Sequence, residues 1–265
     1  MSTLTPALLD SATMLRRRLR HMRRYPSMTL MLVVMPVVFL LLFVYVFGGT
    51  LGAGLGGLHA GRAEYVNFVT PGIILFTVAG AGTGTAVSVA SDMTEGIVAR
   101  FRTMAISRSS VLAGHVAGSV IQTMLSMAII IGVALLAGFR PTAGPAGWAA
   151  AAGVLVLLSL GITWLSVALG LFSRSPESAS NAPMPLLVLP FLGSGFVPTS
   201  SMPQGLRWFA EYQPFTPVID AVRALLLGTP AGDSVLVACA WGAGITVAGY
   251  AWSRRLYRRD PLPGR

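Results

Sequence analysis

Six apolar runs, each close to the thickness of a bilayer, constrain this chain more than any other feature. A hydrocarbon core is crossed by about 20 consecutive apolar residues in a helix. Residues 28–47 form the first such run, uncharged and with Pro36 near its middle. Residues 66–90, 111–137, 148–172, 182–197 and 235–252 form the others. Only 11% of the chain is charged against 54% hydrophobic, whereas a soluble domain carries about 25% charged residues. The spacing therefore predicts an all-α membrane protein with six transmembrane helices. The first run is too long for the apolar core of a cleavable signal peptide, and it reads as the first span.

The fifth run differs from the rest. Pro183, Pro185, Pro190, Gly193, Gly195 and Pro198 all interrupt it, and each residue type bends or breaks a helix. Broken backbone is tolerated in lipid only where protein or a water-filled path covers it. The run is expected either to cross as a short span or to re-enter. Phe39 and Phe43 on the first span, with Leu189 and Phe191 here, are candidate apolar contacts for a molecule passing along this surface beside a second copy of the chain. Lipid-facing or core packing accounts for the same four residues equally well.

All 19 basic residues are arginine, giving a net charge of +10. They sit at the ends of the apolar runs, which argues against nucleic acid as a partner and for a membrane orientation signal. Fifteen fall before the first run, between the second and third, between the fourth and fifth, and after the sixth. Arg62, Arg140, Arg207 and Arg223 fall on the other side. The positive-inside bias thus places both termini in the cytoplasm. Residues 254–265 read as a basic cytoplasmic tail. Arginine without lysine, beside abundant alanine and glycine, suggests a GC-rich bacterial genome and hence a plasma membrane.

Two amphipathic stretches flank this core. Leu8, Ala12, Leu15, Leu19 and Met22 recur at alternating steps of four and three, with arginines on the other faces. Residues 1–25 are therefore expected to form a helix lying on an anionic lipid surface. Residues 215–227 place Val218, Ile219, Val222, Leu225 and Leu226 on one face and the i,i+3 pair Asp220 and Arg223 on the other. Gly228 is the expected stop. This stretch reads as part of a short outer helical hairpin before the last span.

Sites for chemistry are missing from the sequence. A phosphate-binding P-loop needs a lysine, and the chain has none. The nine acidic residues fall outside the apolar runs, so no carboxylate relay crosses the membrane. His115, near one end of the third run, reads as a capped interfacial histidine. His21, His59 and His115 have no metal-binding spacing, and Cys239 stands alone. No catalytic, cofactor or metal residues are expected. Residues 192–195, Leu-Gly-Ser-Gly, lack the first glycine of a nucleophile elbow. The pairs Gly80/Gly84 and Gly114/Gly118 permit close helix approach.

A bundle without its own energy site is a passive channel, a scaffold, or the membrane part of a pump driven from outside. The third case needs a cytoplasmic docking surface. After the second run, Glu95, Gly96, Ile97, Arg100, Phe101, Arg102 and Met104 offer one: Ile97, Phe101 and Met104 share a helical face beside two arginines. A solvated interfacial turn fits the same pattern.

Several pieces in order resemble one family. They are the basic amphipathic entry before Tyr25-Pro26, Tyr45-Val46-Phe47-Gly48-Gly49, and Phe68-Val69-Thr70-Pro71-Gly72. Glu95-Gly96, Arg100-Phe101-Arg102 and Ser107-Arg108-Ser109 come next. Phe196-Val197-Pro198, Met202-Pro203, Pro214-Phe215-Thr216-Pro217 and Arg223 close the series. The chain resembles a type-2 ABC transporter permease of the daunorubicin/doxorubicin-resistance efflux family of actinobacteria. That resemblance implies a six-span permease domain over residues 26–253, with a coupling helix at about residues 93–105 docking into an ATPase subunit. It implies two ATPase copies that bind ATP and Mg, a second copy of the chain or a paralogous permease, and export of an amphipathic or lipophilic compound. Family members often carry proline where this chain has Ala105, so the end of the coupling helix is less sharply marked. A membrane scaffold or passive channel without an ATPase is the alternative.

Overall fold

The computed structural model describes residues 26–55, 61–94 and 108–258. The predicted surface helix, with Leu8, Leu15, Leu19 and Met22, lies outside them. So does the docking segment with Glu95, Gly96, Ile97, Arg100, Phe101, Arg102 and Met104, and so does most of the basic tail.

All regular structure among the described residues is helical, as apolar chain in lipid requires if its backbone polar groups are to pair locally. Helix α1, Pro26–Leu42, begins on a proline and carries Pro36 inside. A π-helical turn, Phe43–Phe47, continues it into α2, Gly48–Ala53. Helix α3, Arg62–Thr94, has 33 residues and is about 50 Å long at 1.5 Å per residue. Then come α4, Arg108–Ala137, and α5, Pro145–Phe172. The last helix, Ser234–Arg258, is α10; four short α-helices lie between α5 and α10 among the described residues. Among the described residues, five helical stretches are long and apolar enough to cross a membrane: Leu32–Ala53, Arg62–Thr94, Ala113–Ala137, Pro145–Phe172 and Ser234–Tyr257.

The helices overshoot the apolar runs at their ends. Glu64 and Asp92, expected outside the second run, belong to the end turns of α3. Intrahelical hydrogen bonding continues past the point where apolar composition stops.

The fifth run is not one helix. It begins directly after α6, Pro176–Asn181, holds α7, Met184–Val188, and then turns as far as Val197. Its prolines forbid a continuous ladder. The stretch lies antiparallel along α3 all the same. Ala179 packs against Ala86 and Ala90 near one end, and the Phe196 carbonyl accepts from Tyr65 Oη at 3.1 Å near the other. Between those levels α3 rises by roughly 30–40 Å.

Close approach depends on small residues. A Cβ built on Gly72 would lie 2.7 Å from Gly195 Cα, and one built on Gly170 would lie 2.5 Å from the Ala86 carbonyl oxygen. Gly82 meets Ser166, whereas Gly84 has open space around it and Gly80 touches only leucine side-chain ends at 3.7 Å. The tight face of α3 is thus offset from the Gly80/Gly84 pair suggested by the sequence. Helix α10 packs along α5 through Gly242 and Gly249, with Trp164 edge-on to Tyr250. Tyr65, Ile73, Phe139, Leu158, Ile162 and Ile219 are among the fully buried side chains of the main core.

Two short helices precede the last one: α8, Gln204–Tyr212, and α9, Phe215–Leu227. Helix α9 keeps its predicted bounds, and Gly228 ends it at φ 66°, in the left-handed region where glycine has no steric penalty. Its setting differs from the expected surface helix. Val218, Ile219, Val222 and Leu226 are buried, but so are Phe215, Thr216, Ala221 and Ala224. Most of the circumference is covered, and Arg223 turns inward onto other elements while its partner Asp220 stays partly exposed. Helix α8 keeps Trp208 and Tyr212 exposed and in ring contact at 5.5 Å.

Candidate functional site

The broken stretch gathers the chemistry of the described region. Turns leave backbone groups unpaired, and an unpaired buried carbonyl or amide costs on the order of 1–3 kcal/mol. Side chains from α9, from the short link before it and from α3 fill that need. Gln213 Nε2 donates to the Leu189 carbonyl at 3.1 Å. Thr216 Oγ1 accepts from Ser194 N at 3.3 Å. Arg223 Nη2 donates to the Ser194 carbonyl at 2.6 Å, and Tyr65 Oη donates to the Phe196 carbonyl. The cover expected from either protein or water is supplied at these four groups by protein.

Arg223 is the centre of this knot. Its Nη1 donates to Asp220 Oδ1 at 2.7 Å. Its Nε and Nη2 reach the Phe68 carbonyl at 3.3 and 3.1 Å. Its guanidinium also lies 4.1 Å from the centre of the Phe68 ring. Asp220 accepts a second hydrogen bond from Ser194 Oγ at 2.7 Å. A planar fork with five N–H donors suits this task, since it can serve a carboxylate and two carbonyls at once. The knot ties α3, the broken stretch and α9 together.

Beside the knot lies an aromatic cluster. Phe191 and Phe196 stack with centroids 4.3 Å apart and planes 5° from parallel. Phe43 approaches Phe196 at 4.7 Å. Phe39 meets Phe76 at 5.3 Å and Phe191 at 5.7 Å, both edge-on. Three of the four candidate contact residues, Phe39, Phe43 and Phe191, therefore meet directly. Leu189 packs against the same core half-buried, as they do. Sequence reading missed Phe76 and Phe196, which complete the cluster; only an aromatic census across separate runs could have pointed to them. Phe43 opens the π-helical turn, a feature that widens a helix locally and occurs often at functional sites. Met35 and Val38 on α1 and Val46 in the π-helical turn are exposed.

His115 is capped, as expected of an interfacial histidine: its Nε2 lies 2.8 Å from Asp92 Oδ2. Among the described residues no group of three or more His, Cys, Asp or Glu could hold a metal ion. The site offers apolar surface, aromatic edges and a neutralised polar knot in which the Asp220 carboxylate is shared between Arg223 and the Ser194 hydroxyl.

A family model described as ABC-2 type transporter matches residues 11–227. The chain is 31% identical over 255 residues to a protein of Streptomyces coeruleorubidus named daunorubicin resistance ABC transporter permease protein DrrB1, covering 95% of this chain and 87% of that one. It is 23% identical over 217 residues to a probable doxorubicin resistance ABC transporter permease protein, DrrC, of Mycobacterium tuberculosis, covering 81% and 76%. To the inner membrane transport permease YadH of Escherichia coli it is 22% identical over 211 residues, covering 79% and 80%.

Proposed function

This chain belongs to the ABC-2 type transporter family, and on that premise we propose that it is the permease subunit of an exporter that moves an amphipathic or lipophilic compound out of the cytoplasm. The chain is a multi-pass membrane protein and a transport subunit. A separate ATPase, present in two copies, binds ATP and Mg and performs the hydrolysis. A second copy of this chain or a paralogous permease completes the pathway. The observation that carries this reading is the similarity, over 95% of the chain, to a daunorubicin resistance permease. The test is export by cells expressing the chain with its ATPase. Retention of daunorubicin and of a panel of lipophilic dyes should fall only when both subunits are present and ATP is available. Equal retention with and without the chain would sink the reading.

The broken stretch is the fifth of six crossings in this reading. Five long helices alone would put the termini on opposite sides, against the arginine distribution. A sixth crossing restores an even number, and the antiparallel course beside α3 favours it. Single cysteines at Ser2 and Gly264, in a Cys239→Ala background, should both be labelled only from the cytoplasmic side. An external label at either end removes the six-crossing topology.

The substrate path runs past Phe39, Phe43, Leu189 and Phe191. A half-buried aromatic cluster on a stretch without a regular helical ladder can repack at little cost. Cysteine reagents at these four positions should react several-fold more slowly with substrate present. Absence of protection at all four would restrict the cluster to core packing.

A further inference from the structure

Asp92 and His115 stand on the two helices that bracket residues 95–107. Helix α3 ends at Thr94 and α4 starts at Arg108. The imidazole Nε2 is 2.8 Å from the carboxylate, and the side chains are only 14% and 27% exposed. A second interhelical bond lies further along the same interface, where Thr85 Oγ1 donates to Ser119 Oγ at 3.0 Å. The steps are seven residues back on α3 and four forward on α4, and each keeps a helical face. At the far end Asn67 Oδ1 accepts from Arg140 N at 2.9 Å, just beyond α4. The pair α3 and α4 is thus bonded at three levels, spread over about 37 Å of helix rise.

The lowest rung is costly for mere packing. His115 Nδ1 is buried with no hydrogen-bond partner, and two desolvated ionisable groups are poor stabilisers compared with apolar side chains of similar size. What such a pair does well is fix register. Apolar packing is non-directional and admits more than one register, whereas this bond has one geometry. The far half of α3 leads to the broken stretch, because Arg223 grips the Phe68 carbonyl and Gly72 lies against Gly195.

We propose that Asp92 and His115 are a positioning pair that holds α3 and α4 in register, so that force applied between them reaches the broken stretch as one displacement of both helices. The proposal rests on the reading of residues 95–104 as the coupling segment. Neither side chain touches substrate or ATPase in this role. Its loss lowers the efficiency of transmission while leaving assembly in place.

The test uses the permease reconstituted with its ATPase in liposomes, with Phe101→Ala in parallel. Asp92→Ala and His115→Ala should each reduce transport per ATP hydrolysed about tenfold, within the ordinary range of coupling between sites. ATPase stoichiometry should stay parental. His115→Gln places an amide donor near the Nε2 position and should recover most of the ratio, as should the exchange Asp92→His with His115→Asp. A purely structural pair would lower the melting temperature or the yield and leave the ratio of the assembled complex unchanged; that result overturns the proposal. A parental ratio in both single variants overturns it too. If Phe101→Ala uncouples while the pair variants do not, the positioning role alone fails. If Phe101→Ala is also parental, the coupling reading of the segment fails with it.

Discussion

Arg223→Gln is expected to unfold the region where α3, the broken stretch and α9 meet. The change leaves the Ser194 and Phe68 carbonyls without their donor and the Asp220 carboxylate without its counter-charge. Removing one partner of a buried ion pair costs about 3–5 kcal/mol. The lower end applies here, because the Asp220 side chain is 41% exposed and can recruit water, while that of Arg223 is 17% exposed. About 3 kcal/mol is a factor of more than 100 in a folding equilibrium. The melting temperature of the detergent-solubilised protein and protease resistance near Ser194 are the measurements. Arg223→Lys should fall between parent and Gln, since a point charge can hold Asp220 but cannot also span both carbonyls. Adding Asp220→Asn to Arg223→Gln should restore part of the loss by removing the stranded charge. Parental stability of Arg223→Gln would show the knot to be incidental.

Phe101→Ala is expected to weaken association with the ATPase or to uncouple hydrolysis from export, with membrane insertion unchanged. The chain has no lysine for a P-loop, and in the proposed reading the work enters from the ATPase through the cytoplasmic surface. Phe101, with Ile97 and Met104 beside it and Arg100 and Arg102 around it, is the apolar anchor that the sequence offers there. A central aromatic within a charged rim is how interfaces concentrate binding energy. Truncating such an anchor costs about 2 kcal/mol, roughly thirtyfold in affinity. Glu95→Ala should act in the same direction with a smaller effect. Pull-down of the ATPase and transport per ATP are the readouts. Parental values in both would reduce the segment to a turn.

The long helices were legible because lipid permits few alternatives: an uncharged run of sufficient length has to satisfy its backbone internally. The breaks in the fifth run were legible from Pro183, Pro185 and Pro190 for the same reason. Which groups repair those breaks was not. Asp220 and Arg223, three residues apart on a helix, have the pattern of a solvent-facing pair. The inward turn of Arg223 follows from Phe68, 155 positions before it, and no local pattern carries that information. Gly82 was passed over for a similar reason: the Gly80/Gly84 spacing is conspicuous, but the rotation of α3 is set by Ser166 and Gly170 on α5. For the candidate site, Phe39, Phe43, Leu189 and Phe191 could be named from position in the runs. Phe76 and Phe196 could not, since each becomes relevant only through its neighbours across the fold.

The crossing of Gly72 over Gly195 has a mechanical consequence. Interdigitated helices resist rotation because each side chain must leave its groove before the next can enter. At this crossing neither strand of chain carries a side chain, and the two backbones rest on each other. There is no groove to leave. The contact is a smooth bearing, placed next to the Arg223 tether that keeps the two surfaces from separating. No rotamer has to change for the two backbones to shift against each other at this point, whereas an alanine at Gly72 would bring its Cβ to 2.5 Å from the Gly195 carbonyl oxygen and prise the bearing open.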